Sequence, residues 1–226
     1  MGSIYNIVVA VLLIASSWAN AAPAAAGDNS VSSPSLDRRQ TTSKYCASSG
    51  VCYLQIVTSG SNPTFRIAIP DGAAAPFDTL LQIIAPVSLG WAGFSWGGGM
   101  TLNPLTVAWP NGNKVTVSSR WSNGRTLPGL YSSATYKTLS SSKNATHWAV
   151  EVACTGCSRW SGGSLATSGS INTFAWAMSR TAVAQPASTG SSFSIHNNVG
   201  MFSDDLSAAK TPSSVFSQYI KSAASS

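Results

Sequence analysis

Charged side chains are scarce in this sequence, and carboxylates are the scarcest of them. Only 9% of the 226 residues are charged, with 13 Lys and Arg against 7 Asp and Glu. The basic residues form no cluster, so the chain lacks the positive footprint with which proteins hold nucleic acid. We expect Ser, Thr, Gly and Asn to supply most of the polar surface, and the mild basic bias favours an acidic partner.

The few acidic and histidine side chains exclude several classes of enzyme. No two carboxylates are placed to face each other across a glycosidase cleft. There is no His-x-His or His-Glu-x-x-His motif for a metal, and His147 beside a sequon is expected at the surface. Ser95 matches the letters of a Gly-x-Ser-x-Gly elbow, but three glycines follow it where a hydrolase has a helix. The acids from residue 40 onward are Asp71, Asp78, Glu151, Asp204 and Asp205.

Long hydrophobic runs are also missing, apart from residues 7–15. That run is too short to span a bilayer, and small residues follow it, so residues 1–21 are predicted to be a signal peptide of a secreted protein without a membrane anchor. Residues 22–39 are rich in Ala, Ser and Pro and are predicted to be a disordered pro-segment or linker ending in the dibasic pair Arg38-Arg39. Residues 40–226 form the predicted domain, with a core over about 45–205, and no second domain is expected.

Four cysteines fall into two local groups, Cys46 with Cys52 and Cys154 with Cys157. In an oxidising compartment this grouping favours two short disulfides, although four cysteines permit three connectivities. A redox-active Cys-x-x-Cys is less favoured because no βαβ pattern surrounds it. Ser158 stands where covalent haem attachment needs His. The sequon at Asn144 predicts glycosylation on an exposed turn.

Short β-rich segments separated by Gly, Pro, Asn and Ser dominate the predicted domain. They indicate an all-β antiparallel sandwich or barrel. The clearest hairpin joins residues 105–109 and 114–121, and only residues 212–223 offer a helix, with Val215, Tyr219 and Ile220 on one side. The predicted strands are residues 51–58, 64–69, 79–86, 91–96, 105–109, 114–121, 146–152 and 172–179.

Met100 and His196 remain as candidate ligands. Met100 follows three glycines, whose missing side chains would let a planar ligand approach the backbone. His196 enters a polar loop after a short apolar segment. Thioether and imidazole are soft enough to bind haem iron, and the Met/His pair suits electron transfer. Residue types alone also permit the ordinary alternatives, a core methionine and a surface histidine. Met201 is a weaker rival to Met100 as a ligand.

Several linked motifs together resemble the haem-binding cytochrome domain of fungal cellobiose dehydrogenases and its free-standing relatives. The resemblance covers about residues 45–205. The motifs are Trp91-Ala-Gly-Phe-Ser-Trp-Gly-Gly-Gly-Met100, Val107-Ala-Trp-Pro-Asn-Gly-Asn113, Arg120-Trp121-x-x-Gly124, Asn144-Ala-Thr-His-Trp148, Cys154-Thr-Gly-Cys157 and Ser194-Ile-His196-Asn.

The resemblance implies an immunoglobulin-like antiparallel β-sandwich with haem b in a pocket at one face. It assigns the axial iron ligands to Met100 and His196, and it makes the Cys-x-x-Cys a disulfide. Trp91 is expected at the pocket wall. Arg125 stands where some relatives have an aromatic residue near a haem propionate, so it is either the partner of that carboxylate or an exposed hairpin charge.

The same resemblance implies a monomeric extracellular carrier of single electrons. The donor would be a flavin dehydrogenase, and the acceptor would be a copper-containing lytic polysaccharide monooxygenase, a ferric complex or a quinone. Ferric reductase activity would follow from this. The sequence holds no Gly-rich flavin-binding unit, so we do not expect it to oxidise cellobiose by itself.

Two other function classes stay open from the sequence. A haem-free carbohydrate-binding module would use Trp91, Trp96, Trp109 and Trp121 as an aromatic platform. A structural surface protein or adhesin would need neither haem nor sugar. Colour and polysaccharide affinity separate the three.

Overall fold

The computed structural model describes residues 40–167 and 169–223. The signal peptide and linker predicted over residues 1–39 lie outside the described residues and stay predictions. No helix among the described residues is long and apolar enough to cross a membrane. The elements are β1 Gln40–Cys46, β2 Cys52–Thr58, β3 Thr64–Pro70, β4 Thr79–Pro86, β5 Trp91–Ser95, β6 Leu105–Asn111, β7 Lys114–Trp121, β8 Gly129–Leu130, β9 Thr135–Lys143, β10 His147–Thr155, β11 Arg159–Trp160, β12 Gly163–Ser164, β13 Asn172–Ser179, β14 Asn198–Asp204, β15 Lys210–Thr211 and α1 Ser213–Ser222.

The strands form two large sheets and one two-stranded ribbon of β11 and β12. The seven-stranded sheet has the order β1-β2-β3-β4-β10-β9, with β15 added beside β3, and the six-stranded sheet has the order β14-β13-β5-β6-β7-β8. Every pairing is antiparallel except that of β15 with β3. The predicted antiparallel β-sandwich is confirmed.

Alternate side chains of both sheets meet in one hydrophobic core. Phe94 of β5 lies at its centre, and its ring contacts those of Phe65, Trp96 and Phe174 at centroid distances of 5.4, 5.1 and 5.5 Å. All four side chains are buried. Because aromatic side chains remove large areas from water, this cluster is the main link between the sheets.

The outer face of the seven-stranded sheet is covered by α1. Phe216 of the helix is buried in a second cluster with Val51, Tyr53 and Leu80. The helix was predicted over residues 212–223, and the structure places it at Ser213–Ser222, with Pro212 and Ala223 as its caps. Its sequence pattern missed Phe216 as the most deeply buried contact.

A buried carboxylate fastens the helix to this sheet. Glu151 of β10 accepts hydrogen bonds from the Tyr53 hydroxyl at 2.5 Å and from the Tyr219 hydroxyl of α1 at 2.6 Å. Burial and the neighbouring Glu151 raise the pKa of both tyrosines well above the usual value. The carboxylate therefore has a structural partner at each oxygen, which is the usual condition for a buried acid.

The predicted strands match the observed ones closely where their side chains are buried. Residues 79–86, 114–121 and 172–179 are strands with the predicted bounds, and the hairpin of β6 and β7 turns at Gly112, which has φ of 61°. The sequence analysis missed β1, β9 and β14. Most residues of β1 and β9 are exposed and polar, so neither has the apolar alternation that a sequence pattern can detect.

Both disulfides join local pairs. Cys46 bonds to Cys52 across the β1–β2 turn, and Cys154 bonds to Cys157 at the end of β10. These are the pairs that the sequence favoured, and no cysteine among the described residues is free.

Candidate functional site

The outer face of the six-stranded sheet has a floor of small side chains. Residues 92, 94, 174, 176 and 178 point into the core, so their neighbours on β5 and β13 point outward. Those outward neighbours include Gly93, Ala175 and Ala177, which lie side by side because Ala177 pairs with Gly93. Gly93 is buried, with Trp91 and Val107 as its nearest side chains, so the small outward side chains that stay partly exposed are Ala175 and Ala177.

The Met100 loop leaves β5 and folds over one end of this face. The Ser95 hydroxyl donates to the Gly99 carbonyl at 2.6 Å, which turns the chain back toward the sheet. A Cβ on Gly98 would lie 2.6 Å from Thr173 Cγ2, so the loop rests directly on the outward side chain of β13. Met100 itself is 36% exposed.

The Asn103 side chain packs within the same loop and bonds to its backbone. Its amide donates to the Thr101 carbonyl at 2.9 Å, and a Cβ on Gly97 would lie only 1.8 Å from its Oδ1 atom. Leu102 has φ of 59°, and its N–H donates to the Ser122 carbonyl at 2.8 Å. The glycines before Met100 therefore make room for Asn103 and Thr173 of this chain, which differs from the expected access for a planar ligand.

The segment of His196 crosses the opposite end of the face. Ser194 accepts a hydrogen bond from the Trp91 indole at 3.2 Å and donates to the Ser179 hydroxyl at 2.9 Å. On the other side of His196, the Asn197 N–H donates to the Met178 carbonyl at 2.7 Å. The segment is thus bonded to β5 and β13 by the Ser194 side chain two residues before His196 and by the Asn197 backbone directly after it, while the imidazole is exposed.

The Asn197 side chain adds a second tie. Its Oδ1 atom accepts from the Ser179 hydroxyl at 2.9 Å and from the Arg180 N–H at 2.7 Å. Together, Ser194 and Asn197 fix the position of the His196 backbone. Sequence reasoning assigned neither residue a role, although both stand inside the Ser194-Ile-His196-Asn motif.

Residues 180–193 cover the rest of this outer face. Phe193 packs edge-on against Trp91 at a centroid distance of 5.0 Å and contacts Trp109 at 6.3 Å. The Trp109 indole donates to the Pro186 carbonyl at 2.9 Å. This covering buries the outward sides of β5 and β6, so the part of the face that remains accessible lies over β13 and β14.

Arg120 of β7 is buried beneath that covering segment and bonds to its backbone. Its guanidinium donates to the carbonyls of Pro128, Thr189 and Ser191 at 3.0, 2.7 and 2.6 Å, and to the Ser118 hydroxyl at 2.7 Å. The carbon at its head lies 5.2 Å from the centroid of the Phe193 ring. Burial lowers the pKa of Arg120. The role of Arg120 could not be read from its motif, because two of its three carbonyl partners lie about 70 residues away along the chain.

The other predicted site residues are placed as follows. Trp91 is buried beneath the His196 segment, at the wall of the face. Arg125 is exposed in the β7–β8 loop and has no ion-pair partner among residues 40–167 and 169–223. Met201 lies on β14, opposite Ala175 and 50% exposed. His147 is at the surface, where it contacts Thr146.

These residues fit a haem group. The thioether of Met100 and the imidazole of His196 lie at the two ends of this face, each on a segment fixed by its own hydrogen bonds. Both groups are known ligand types for haem iron. Between the two segments lie the small residues of β13, and on β14 the apolar side chains of Val199 and Met201 are 47% and 50% exposed. A flat apolar ligand would remove these exposed side chains from water.

Other chemical sites receive less support from the described residues. Glu151 is bonded to two tyrosines, Asp71 accepts from the Ser213 N–H at 2.7 Å, and Asp78 accepts from the Thr155 hydroxyl at 2.7 Å. Each acid thus has a local structural contact. The proposed aromatic platform is also incomplete, because three of its four tryptophans are buried and only Trp121 reaches the surface in part.

Comparisons with known proteins agree with this geometry. The model of a protein family described as the cytochrome domain of cellobiose dehydrogenase matches residues 45–215. A pyrroloquinoline quinone-dependent pyranose dehydrogenase from Coprinopsis cinerea is 30% identical over 176 residues, which cover 75% of this chain and 24% of that protein. The chain therefore spans about a quarter of the length of this relative.

Two solved structures share the fold over most of its length. The cytochrome b domain of the Coprinopsis cinerea pyranose dehydrogenase has a TM-score of 0.73 at 28% identity, covering 80% of this chain and 95% of that one. The cytochrome domain of Myriococcum thermophilum cellobiose dehydrogenase has a TM-score of 0.71 at 25% identity, covering 80% of this chain and 96% of that one.

Proposed function

Because the chain belongs to the family of cytochrome domains of cellobiose dehydrogenase, whose members bind b-type haem, we propose that Met100 and His196 hold the haem iron of an electron-transfer protein. One observation carries the proposal: the loop of Met100 lies against Thr173 and the segment of His196 is bonded to Met178, so a thioether and an imidazole stand at the two ends of β13. Haem b, when bound, supplies one-electron iron chemistry.

The two side chains also define the kind of transfer. Met100 and His196 would both hold the haem iron, so a substrate or oxygen molecule would have to displace one of these side chains to bind the metal. Electrons would therefore pass without any bond between the metal and the acceptor. A methionine ligand raises the reduction potential, which makes the haem easier to reduce and directs its electrons to acceptors of still higher potential.

The surrounding residues have positioning roles in this proposal. Ser194 and Asn197 fix the backbone on either side of His196, and Trp91 anchors Ser194. Second contacts of this kind orient a metal-binding imidazole. Arg125, which is exposed, is the candidate for pairing with a haem propionate. Met201 stays a weaker candidate than Met100, because it belongs to the same short segment as His196.

We further propose a secreted protein that works between a sugar dehydrogenase and an external acceptor. A flavin dehydrogenase is the expected donor, and the pyranose dehydrogenase relative adds a quinone-dependent one. Acceptors would be a lytic polysaccharide monooxygenase, ferric complexes or quinones. Two disulfides suit an oxidising compartment. Asn144 is exposed, and its Oδ1 accepts from the N–H groups of Thr146 and His147, so its amide nitrogen is available for glycosylation.

The experiment that tests this function is a stopped-flow measurement on the purified, haem-loaded chain. The dithionite-reduced protein is mixed with a ferric chelate, and its spectrum is followed with and without carbon monoxide. We expect rapid oxidation by the chelate and no spectral change with carbon monoxide. Ready binding of carbon monoxide would mean an open axial position and would contradict the proposal.

A further inference from the structure

Surface carboxylates are absent from a long central part of the chain. Between Asp78 and Asp204 the only acid is Glu151, which is buried against two tyrosine hydroxyls. The same stretch has seven basic residues, and all but Arg120 are exposed. Strands β5 to β8, β13 and the His196 segment all belong to this stretch, so the sheet with the open face presents almost no negative side chains.

Two exposed arginines stand at the two ends of the candidate site. Arg180 directly follows β13, and its N–H bonds to Asn197, the residue after His196. Arg125 belongs to the loop that accepts a hydrogen bond from Leu102 of the Met100 loop, through the carbonyl of Ser122. Neither side chain has an ion-pair partner among the described residues.

The nearest acids in sequence do not cancel this charge. Asp204 ends β14 on the side of Phe202, which faces the core, and Asp205 accepts from the Ser207 N–H at 2.7 Å beyond the strand. The two propionates of a haem b would add two negative charges. The guanidiniums of Arg120, Arg125 and Arg180 outnumber them, so this side of the molecule stays positive with haem bound.

Exposed leucines accompany the charge at the Met100 end. Leu102, Leu127 and Leu130 are 57%, 51% and 63% exposed, and we call these three residues the leucine patch. They belong to neighbouring segments, since Leu102 bonds to Ser122 and Leu130 pairs with Arg120. Single exposed leucines are ordinary, but three on adjoining segments beside the candidate haem site, with arginines near them, form an apolar area with a charged rim, which is typical of a protein interaction site.

We propose that the leucine patch docks a redox partner protein whose matching surface carries carboxylates. This inference rests on the proposed electron-transfer function and adds the docking place and the charge of the partner. The partner is a protein because a small anionic chelate would need the arginines but would gain nothing from three exposed leucines. Positive charge steers the acidic partner, and the leucines then hold it near Met100.

A matched pair of acceptor proteins tests which charge the partner's surface must carry. Oxidised cytochrome c is basic, and its fully succinylated form is acidic while it keeps the same haem. Each is mixed in a stopped-flow instrument with the reduced, haem-loaded chain at low and at high salt. We expect the succinylated acceptor to react about 10-fold faster at low salt, and the advantage to disappear at about 0.5 M salt as screening shortens the reach of charge. Equal rates, or a faster native acceptor, would overturn the inference.

Substitutions in the leucine patch and at Arg180 test where the partner docks. Leu127→Ser combined with Leu130→Ser should slow the reaction with succinylated cytochrome c about 5-fold, and Arg180→Gln should reduce its salt dependence. The controls are Val57→Ser and Lys143→Gln, which change one apolar and one basic exposed side chain on the seven-stranded sheet. Both should leave the rate unchanged. Arg125 is left intact because it is a candidate haem contact.

A small acceptor separates the two proposals. Hexacyanoferrate(III) needs no docking surface, so the leucine variants should reduce it as fast as the original chain does. If the leucine variants slow hexacyanoferrate and the protein acceptor equally, or slow neither, the docking proposal is overturned while electron transfer stands. If the original chain reduces no acceptor at all, the proposed function itself fails.

Discussion

The two sheets share one core but treat their outer faces differently. On the seven-stranded sheet, α1 closes the part of the outer face around Glu151, where it packs Phe216 into a buried cluster and bonds Tyr219 to the buried carboxylate. The six-stranded sheet is covered in part by the segment that Arg120 bonds to, and it leaves two candidate ligands, Met100 and His196, at the surface. The comparison teaches that the sandwich supplies a scaffold, and that function depends on which outer face stays open.

Removing the carboxylate of the closed side should have the largest effect on stability. Glu151→Ala leaves the Tyr53 hydroxyl buried without its partner and releases Tyr219, so we expect the free energy of unfolding to fall by about 3 kcal/mol. Urea unfolding measures the change. Glu151→Gln, which keeps one carbonyl oxygen, should lose less. If the haem spectrum of either variant changed as strongly as its stability, the two faces would not be independent.

Loosening the open side should cost less stability but should affect the haem. Arg120→Met removes four hydrogen bonds, two of them to the segment that leads to His196, and we expect a loss of about 2 kcal/mol in unfolding free energy. Haem should also transfer faster to an excess of apomyoglobin. Arg66→Met is the matched control, because Arg66 bonds to Gln55 and Gln82 on the seven-stranded sheet. Equal haem transfer from both variants would contradict a positioning role for Arg120.

A substitution beside His196 should have a smaller effect on stability and a visible effect on the haem spectrum. Asn197→Ala removes the acceptor for Ser179 and Arg180, which should cost about 1 kcal/mol and let His196 shift. We expect part of the ferric spectrum to become high-spin. Asn198→Ala is the control next to it, since the Asn198 amide bonds away from the site to Asn62 at 3.1 Å. Identical spectra for the two variants would count against the role of Asn197.

The closed side should also carry a pH dependence of its own. The fold raises the pKa of Tyr53 and Tyr219, so in the unfolded chain these hydroxyls ionise first, near pH 10. Their contribution is therefore complete below about pH 10 and is lost as the pH rises further. Urea titrations from pH 8 to 11 should show a shallower decline for Tyr219→Phe than for the original chain. Parallel declines would refute the assignment.

Much of this contrast could be predicted from the sequence, and the rest depends on distant contacts. The buried strands alternate apolar side chains and were found with accurate bounds. The haem contacts that the sequence assigned to Met100, His196 and Trp91 stay predictions. Exposed strands such as β9 lack that alternation. The roles of Arg120 and Glu151 arise from partners about 70 to 100 residues away along the chain, and such pairings cannot be read from local residue types.

The most direct test of the account is a visible spectrum of the haem-loaded protein, oxidised and then reduced, beside Met100→Ala, His196→Ala and Met201→Ala. The account predicts a sharp low-spin b-type spectrum that the first two substitutions turn high-spin or abolish, while Met201→Ala leaves it unchanged. A colourless original chain after expression with added haem, or a low-spin spectrum that survives Met100→Ala but not Met201→Ala, would contradict it.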